Sequence, residues 1–213
     1  MVALARRERD DLCTLMRELG PDADTLCEGW TTRDLAAHLV VRDRRPDTLP
    51  GLMLPALAGH TERVRLTARD HHDYPRLVHL VRSGPPYPVR VASLDAFVNG
   101  LEFLVHHEDV RRAQPDWTAI VDTERDLQAW KRLGAMAKML GRPAEVGLVL
   151  ASPGHDPITA RRPDPDPGGP SGTVAGPVAD VILWAFGRTG AADVELSGDD
   201  DAVEVLRRTN LGG

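Results

Sequence analysis

A helical bundle followed by a small α+β unit is the fold class this sequence predicts, and three observations predict it. Up to about residue 142 every periodic stretch has the apolar spacing of an amphipathic helix. After Pro143 short β-prone runs and Pro/Gly-rich turns appear for the first time. The 213 residues, 42% hydrophobic and 27% charged, are of ordinary globular composition. A chain of that size buries about 70% of its unfolded surface, enough for a core in each part. The expected division is residues 1–142, a helical bundle, and 143–213, a small α+β domain.

The first helix spans about Ala3 to Leu19, with Leu12, Leu15, Met16 and Leu19 on one stripe, and Gly20-Pro21 stops it. Thr31-Thr32-Arg33-Asp34 has the threonine-then-acid spacing of a capping box, so a second helix opens there and runs to about Arg45, before Pro46. A looser third helix falls within Gly51 to Asp70, and Val78 to Val81 reads as a short turn closed by Gly84-Pro85-Pro86-Tyr87-Pro88. The clearest helix is Ser93 to Arg112, on Leu94, Phe97, Val98, Leu101, Leu104, Val105 and Val110. Another spans Asp122 to Leu140 and ends at Gly141-Arg142-Pro143. Beyond it, Val146 to Leu150 and Ile158 to Ala160 read as a hairpin, and Pro163 to Gly172 as an exposed loop. Pro177 to Phe186 reads as a helix, Val194 to Leu196 as a strand and Ala202 to Arg208 as a last helix.

Charge and composition exclude some functions. The net charge of −6, from 26 basic and 32 acidic residues, gives no cationic field to attract phosphates, so no nucleic-acid partner is expected. No run approaches the roughly 20 apolar residues of a membrane span, and the N-terminus has no apolar leader core, so no membrane partner is expected. Cys13 and Cys27 form neither a CxxC pair nor a disulfide framework and read as small buried thiols. A cytoplasmic protein, monomer or homodimer, is the expectation.

Chemistry concentrates at Glu102 and His106. Four residues apart on the clearest helix, they share one face and reach one ion together. His38, on the second helix, is the best third ligand, and a His/Glu/His set with an open position suits catalytic zinc or non-haem iron. Asp109, three residues after His106, and Asp34, four before His38, are candidates to accept the imidazoles' outer protons. By spacing alone such a pair is common by chance, Glu102 and His106 also read as a hydrogen-bonded pair without an ion, and both readings stand at this point. Among the other histidines, His71-His72 reads as exposed loop, and His60, His79 and His155 have no partner at ligand spacing. Asp199-Asp200-Asp201 is explained by the positive end of a helix.

The residues around the candidates carry a resemblance. Trp30-Thr31-Thr32-Arg33-Asp34-Leu35-Ala36-Ala37-His38-Leu39 resembles the W-[ST]-x-x-D-[LV]-x-x-H-[LV] motif of the DinB-like superfamily, in its mycothiol-dependent maleylpyruvate isomerase branch. Glu102-Phe103-Leu104-Val105-His106-His107-Glu108-Asp109-Val110 is similar to that branch's second motif, E-x-x-V-H-x-x-D-[LV]. Ala179 to Arg188 and Val194 to Asp199 resemble its appended sterol-carrier-like domain. The resemblance implies a mainly α fold, a DinB-like four-helix bundle followed by a small α+β sterol-carrier-like C-terminal domain. It also implies a divalent ion held by His38, Glu102 and His106, zinc first, with iron, nickel or manganese also suited. His107 points about 100° away from His106 and reads as a surface or cavity residue. Trp30 packs the start of its helix.

What the resemblance implies for function is a metal-dependent enzyme that uses a low-molecular-weight thiol, mycothiol or one like it, for isomerisation or S-transfer on a small electrophile. A non-catalytic module that binds metal and a small ligand is the alternative. An anionic substrate would need a fixed cation, and Arg42, Arg44, Arg45, Arg82 and Arg90 are all open for that role.

Overall fold

A computed structural model describes residues 4–48, 55–86, 95–209 and 211. The expectations placed on Gly51, Tyr87, Pro88, Arg90, Ser93 and Leu94, and on the side chains of Phe97 and Val98, lie outside what is described. The described residues are mainly helical, with one four-stranded sheet. They form two compact units, Met1–Ala119 and Ile120–Gly213.

The first unit holds α1 (Leu4–Leu19), α2 (Thr32–Arg44), α3 (Pro55–His71), α4 (Tyr74–Ser83) and α5 (Asp95–Arg112). Its core is shared by four of them: Leu12, Cys13 and Met16 from α1; Leu35, Ala36, Leu39 and Val40 from α2; Leu77, Val78 and Val81 from α4; Phe103 and Val110 from α5. The helix α2 begins where the threonine-acid spacing places it, with Asp34 Oδ2 accepting from the Thr31 backbone N–H at 3.3 Å and from its hydroxyl at 3.1 Å. The helix α4 is longer than the turn expected at 78–81. Asp73 caps it by accepting from the Arg76 N–H at 2.8 Å, and Pro75 fits the first turn, where no N–H partner is needed.

From Phe103 to Val110 every residue of α5 is buried, including His106, His107, Glu108 and Asp109. Burying charge is tolerable only with partners. Glu108 accepts from Arg111 at 2.8 Å and Arg112 at 2.9 Å. His107 Nδ1 meets Glu8 Oε2 of α1 at 2.9 Å, so His107 is neither the surface nor the cavity residue expected but half of a buried pair between helices. Arg9 of α1 binds Asp43 and the Val81 carbonyl, and its guanidinium lies 4.0 Å from the Phe103 ring centroid. These cross-helix bonds fix the depth and rotation of α5, which carries two of the candidate ligands.

The second unit contains α6 (Thr123–Leu140), β1 (Gly147–Ala151), β2 (Ile158–Arg161), β3 (Ser171–Ala175), α7 (Val178–Ala185), β4 (Glu195–Gly198) and α8 (Asp200–Arg208). The sheet order is β2-β1-β3-β4; β1 and β2 form the expected hairpin, β1 and β3 are parallel, and β3 and β4 are antiparallel. One detail differs from the sequence reading. Ser171 and Gly172, placed in the loop, begin β3, whose Ser-Gly start carries little intrinsic strand signal and is held by pairing on both sides. Within the second unit α6 packs against β2 and α7. Its buried face, Ala129, Trp130, Leu133, Met136 and Ala137, belongs to the second unit, and the Trp130 indole N–H donates to the Asp156 carbonyl at 3.0 Å. No helix among the described residues is long and apolar enough to cross a membrane.

Candidate metal centre

Two helices of the first unit bring the three candidate ligands together. His38 faces α5 from the middle of α2, and Glu102 and His106 stand one turn apart on α5. Their ligating atoms all lie within 4.8 Å of one another. His106 Nε2 is 3.3 Å and His38 Nε2 3.9 Å from the same carboxylate oxygen, Glu102 Oε1. The imidazole rings meet edge to face with centroids 5.4 Å apart. Two imidazole nitrogens aimed at one carboxylate oxygen from different helices outline a place for a cation.

The outer nitrogen of His106 decides whether the inner one is available. His106 Nδ1 lies 2.9 Å from Asp109 Oδ2, and Asp109 is fully buried. An ionised carboxylate only accepts, so Nδ1 carries the proton and Nε2 is the nitrogen that faces Glu102. Of the two candidate carboxylates, Asp109 therefore supports its histidine. Asp34 does not: it caps α2 and accepts from Arg65 at 2.7 Å and Arg69 at 3.2 Å, both on α3. His38 is held instead by ring packing. The Trp30 indole lies 5.2 Å away on one side, itself covered by the Arg65 guanidinium at 4.7 Å, and His106 lies on the other. Trp30 thus does more than pack the start of α2.

Burial and charge divide the protons among these groups. Burial pulls the His38 pKa below the ordinary imidazole value, against the Glu102 carboxylate, which raises it. Burial would lower that of His106 as well, but bonds to Asp109, Cys27 and Glu102 outweigh it and hold the pKa well above the usual range. For Glu102, burial raises the pKa and is overcome by His106, His38 and Arg42, which keep it well below the ordinary carboxylate value. The metal-free site is therefore a neutral His38, a carboxylate Glu102 and a protonated His106 whose Nε2–H points at Glu102. A divalent ion held by these three groups would take the place of that proton.

Sequence reasoning left two participants unassigned. Arg42, one turn after His38 on α2, places Nε 3.2 Å from Glu102 Oε1. Arg44 binds the Leu80 and Gly84 carbonyls and Ser83, Arg45 binds Asp47, and Arg82 binds Thr14 and the Asp10 carbonyl. Of the candidate arginines among the described residues, Arg42 is the one at the site, and its i+4 spacing from His38 is the sequence signal that marks it. The second participant is Cys27, whose Sγ is 3.3 Å from Asp109 Oδ2. These residues are 82 positions apart, and spacing carries no trace of the contact.

The remaining histidines stay apart from the site. His60 pairs with Asp47 at 3.2 Å, His71 packs edge to face on His72, His79 is exposed, and His155 stacks on Trp130. Asp199 accepts from the Ser171 N–H at 2.8 Å and so serves the β3–β4 connection.

No family model matches the chain, and no curated protein does. Among solved structures, the crystal structure of the mycothiol-dependent maleylpyruvate isomerase is similar to this chain, with a TM-score of 0.53 at 22% identity, over 91% of this chain and 90% of that one. A histidine-to-alanine variant of that enzyme matches with the same TM-score at 20% identity and the same coverage. The likeness extends over nearly all of both chains and establishes the fold.

Proposed function

We propose that this protein binds a divalent ion through His38, Glu102 and His106 and is a metal-dependent enzyme acting with a low-molecular-weight thiol of the mycothiol type. The sulfur would be added or transferred to a small electrophile, in isomerisation or S-transfer. The observation that carries the reading is the convergence of His38 and His106 Nε2 on Glu102 Oε1, with Asp109 holding the outer proton of His106. The whole-chain likeness to a mycothiol-dependent isomerase supports the thiol part. In this reading the first unit is a DinB-like four-helix bundle and the second a sterol-carrier-like domain, in a cytoplasmic monomer or homodimer.

The donor set of two imidazoles and a carboxylate fits zinc first and iron, nickel or manganese as well. A bound divalent ion would supply the positive charge that stabilises a thiolate at neutral pH. The chain's own residues do the rest. Asp109 keeps the Nδ1 proton in place, Trp30 holds the His38 ring, and Arg42 adds a fixed positive charge beside Glu102 that favours an anionic thiol or electrophile.

The test is metal content of protein purified without a histidine tag, beside His106→Ala. Close to one equivalent in the parent and loss in the variant supports the site. Mycothiol should then raise the melting temperature of the metal-loaded protein but not of the metal-free one, because a ligand stabilises only the state that binds it. Arg42→Met should keep the metal and weaken the thiol-dependent shift. Metal in neither parent nor variant, even after incubation with zinc, overturns the reading.

A further inference from the structure

We infer that Cys27 is a positioning residue of the metal centre, holding the His106 ring through the carboxylate of Asp109 and from its own place beside the ring, the three groups lying within 4.8 Å of one another. The inference rests on the metal-site reading above and adds to it a residue outside the ligand set.

Three observations carry it. Cys27 Sγ lies 3.3 Å from Asp109 Oδ2, the same oxygen that faces His106 Nδ1 at 2.9 Å. Asp109 is fully buried, so its carboxylate depends on hydrogen-bond donors held within the fold, and the thiol and the imidazole are two of them. The segment that carries the thiol is itself tied down. The Leu26 N–H donates to the Asp109 carbonyl at 3.0 Å, the Thr25 hydroxyl accepts from the Cys27 N–H at 3.2 Å, and the same hydroxyl donates to the Trp30 carbonyl at 2.9 Å. One short loop therefore holds the thiol against Asp109 and the indole against His38, and so reaches both imidazole ligands.

The chemistry follows from donor and acceptor inventory. A thiol is a weak donor, and an ionised carboxylate has only acceptor sites. With S–H and Nδ1–H both directed at Oδ2, the carboxylate is fixed in rotation and remains an acceptor, which keeps the His106 proton on Nδ1 and Nε2 toward Glu102. Loss of the thiol leaves a buried carboxylate with one donor fewer, and the imidazole loses part of its backing. Outer partners of this kind typically alter metal affinity about 10- to 100-fold when removed. Cys13 shows the contrast. Its Sγ reaches only the Val78 carbonyl at 3.7 Å, and burial pushes its pKa up to about 11, as suits a core-filling thiol.

The experiment compares zinc affinity of the full chain, Cys27→Ser and Cys27→Ala by competition with a chromophoric chelator, with His106→Ala as reference. Melting temperatures of the metal-free forms are recorded beside them. Cys27→Ala is expected to weaken zinc binding about tenfold or more, and Cys27→Ser, which keeps a donor, to stay within about threefold of the parent. The second readout is the His106 imidazole in proton–nitrogen NMR of the metal-free parent and Cys27→Ser. An exchange-protected proton on Nδ1 is expected in both, and these two forms carry the test if Cys27→Ala does not fold. Zinc affinity of Cys27→Ala equal to the parent's, or an unprotected Nδ1 in the parent, overturns this inference while leaving the metal site standing. A parent that binds zinc no better than His106→Ala overturns the metal site, and the role of Cys27 with it.

Discussion

His106 holds its position through both nitrogens, and they do different work. Nδ1 is committed to Asp109, and Nε2 faces Glu102, where a proton and the proposed metal ion would compete. Because the metal-free pKa is raised well above the ordinary imidazole value, that proton is present at pH 7. Zinc uptake at pH 7 should therefore release roughly one proton from this residue. Calorimetric titration in buffers of different ionisation enthalpy would show it as a buffer-dependent heat, and His106→Ala should lose that dependence. The sign is fixed: affinity falls as the pH is lowered, since protons then compete more strongly. At this scale Glu102, His106 and His38 were legible because spacing and motif speak for single positions. Cys27 was not, because a contact between a loop and a helix 82 residues away is made by the packing of α2 against its neighbours, which no local pattern encodes.

Among the elements, a long apolar period was enough to read α1 and α5, and a start signal added the point at which a helix begins. The helix α2 has its threonine-acid start and begins at Thr32 as expected. The helix α4 reads as a turn because its start signal, Asp73 followed by Pro75, stands beside a histidine pair that looks like loop. Strand β3 has no strand signal at its start, since Ser171 and Gly172 are poor strand formers whose pairing is supplied from β1 and β4. The end of α6 illustrates how tightly such contacts are made. A Cβ built on Gly141 would stand 2.7 Å from the Ala160 carbonyl oxygen and 2.9 Å from its carbon, both backbone atoms of β2. Gly141→Ala should therefore destabilise the second unit by about 1–3 kcal/mol, measured from urea midpoints. Zinc affinity should stay unchanged, since every ligand lies in the first unit.

For the molecule as a whole, composition distinguishes a helical part from a mixed one. Helix α6 looks like a continuation of the helical run, yet Trp130, Leu133 and Met136 are buried among the residues of the sheet unit. A helix is assigned to a unit by what its apolar face covers, and the sequence shows that the face exists without naming its partner. The division has an energetic consequence. Removing metal with a chelator should raise amide exchange in residues 1–119, first around α2 and α5, and leave the sheet between Gly147 and Gly198 as protected as before. Exchange mass spectrometry with and without zinc measures both halves at once. Uniform change across the chain would show that the two units share one unfolding event.

The sheet order described above also bears on solubility. Strand β3 is central only because β4 lies beside it, and β4 belongs to the last twenty residues of the sequence. A cut between Ala192 and Glu195 would move the open edge from β4, four residues long and mostly exposed, to β3, whose alternate residues are buried, and the amides and carbonyls freed there would offer a template to any other extended chain. The segment Glu195 to Gly198, followed by α8, thus gives the sheet a short edge headed by a charged residue in place of a longer, more apolar one.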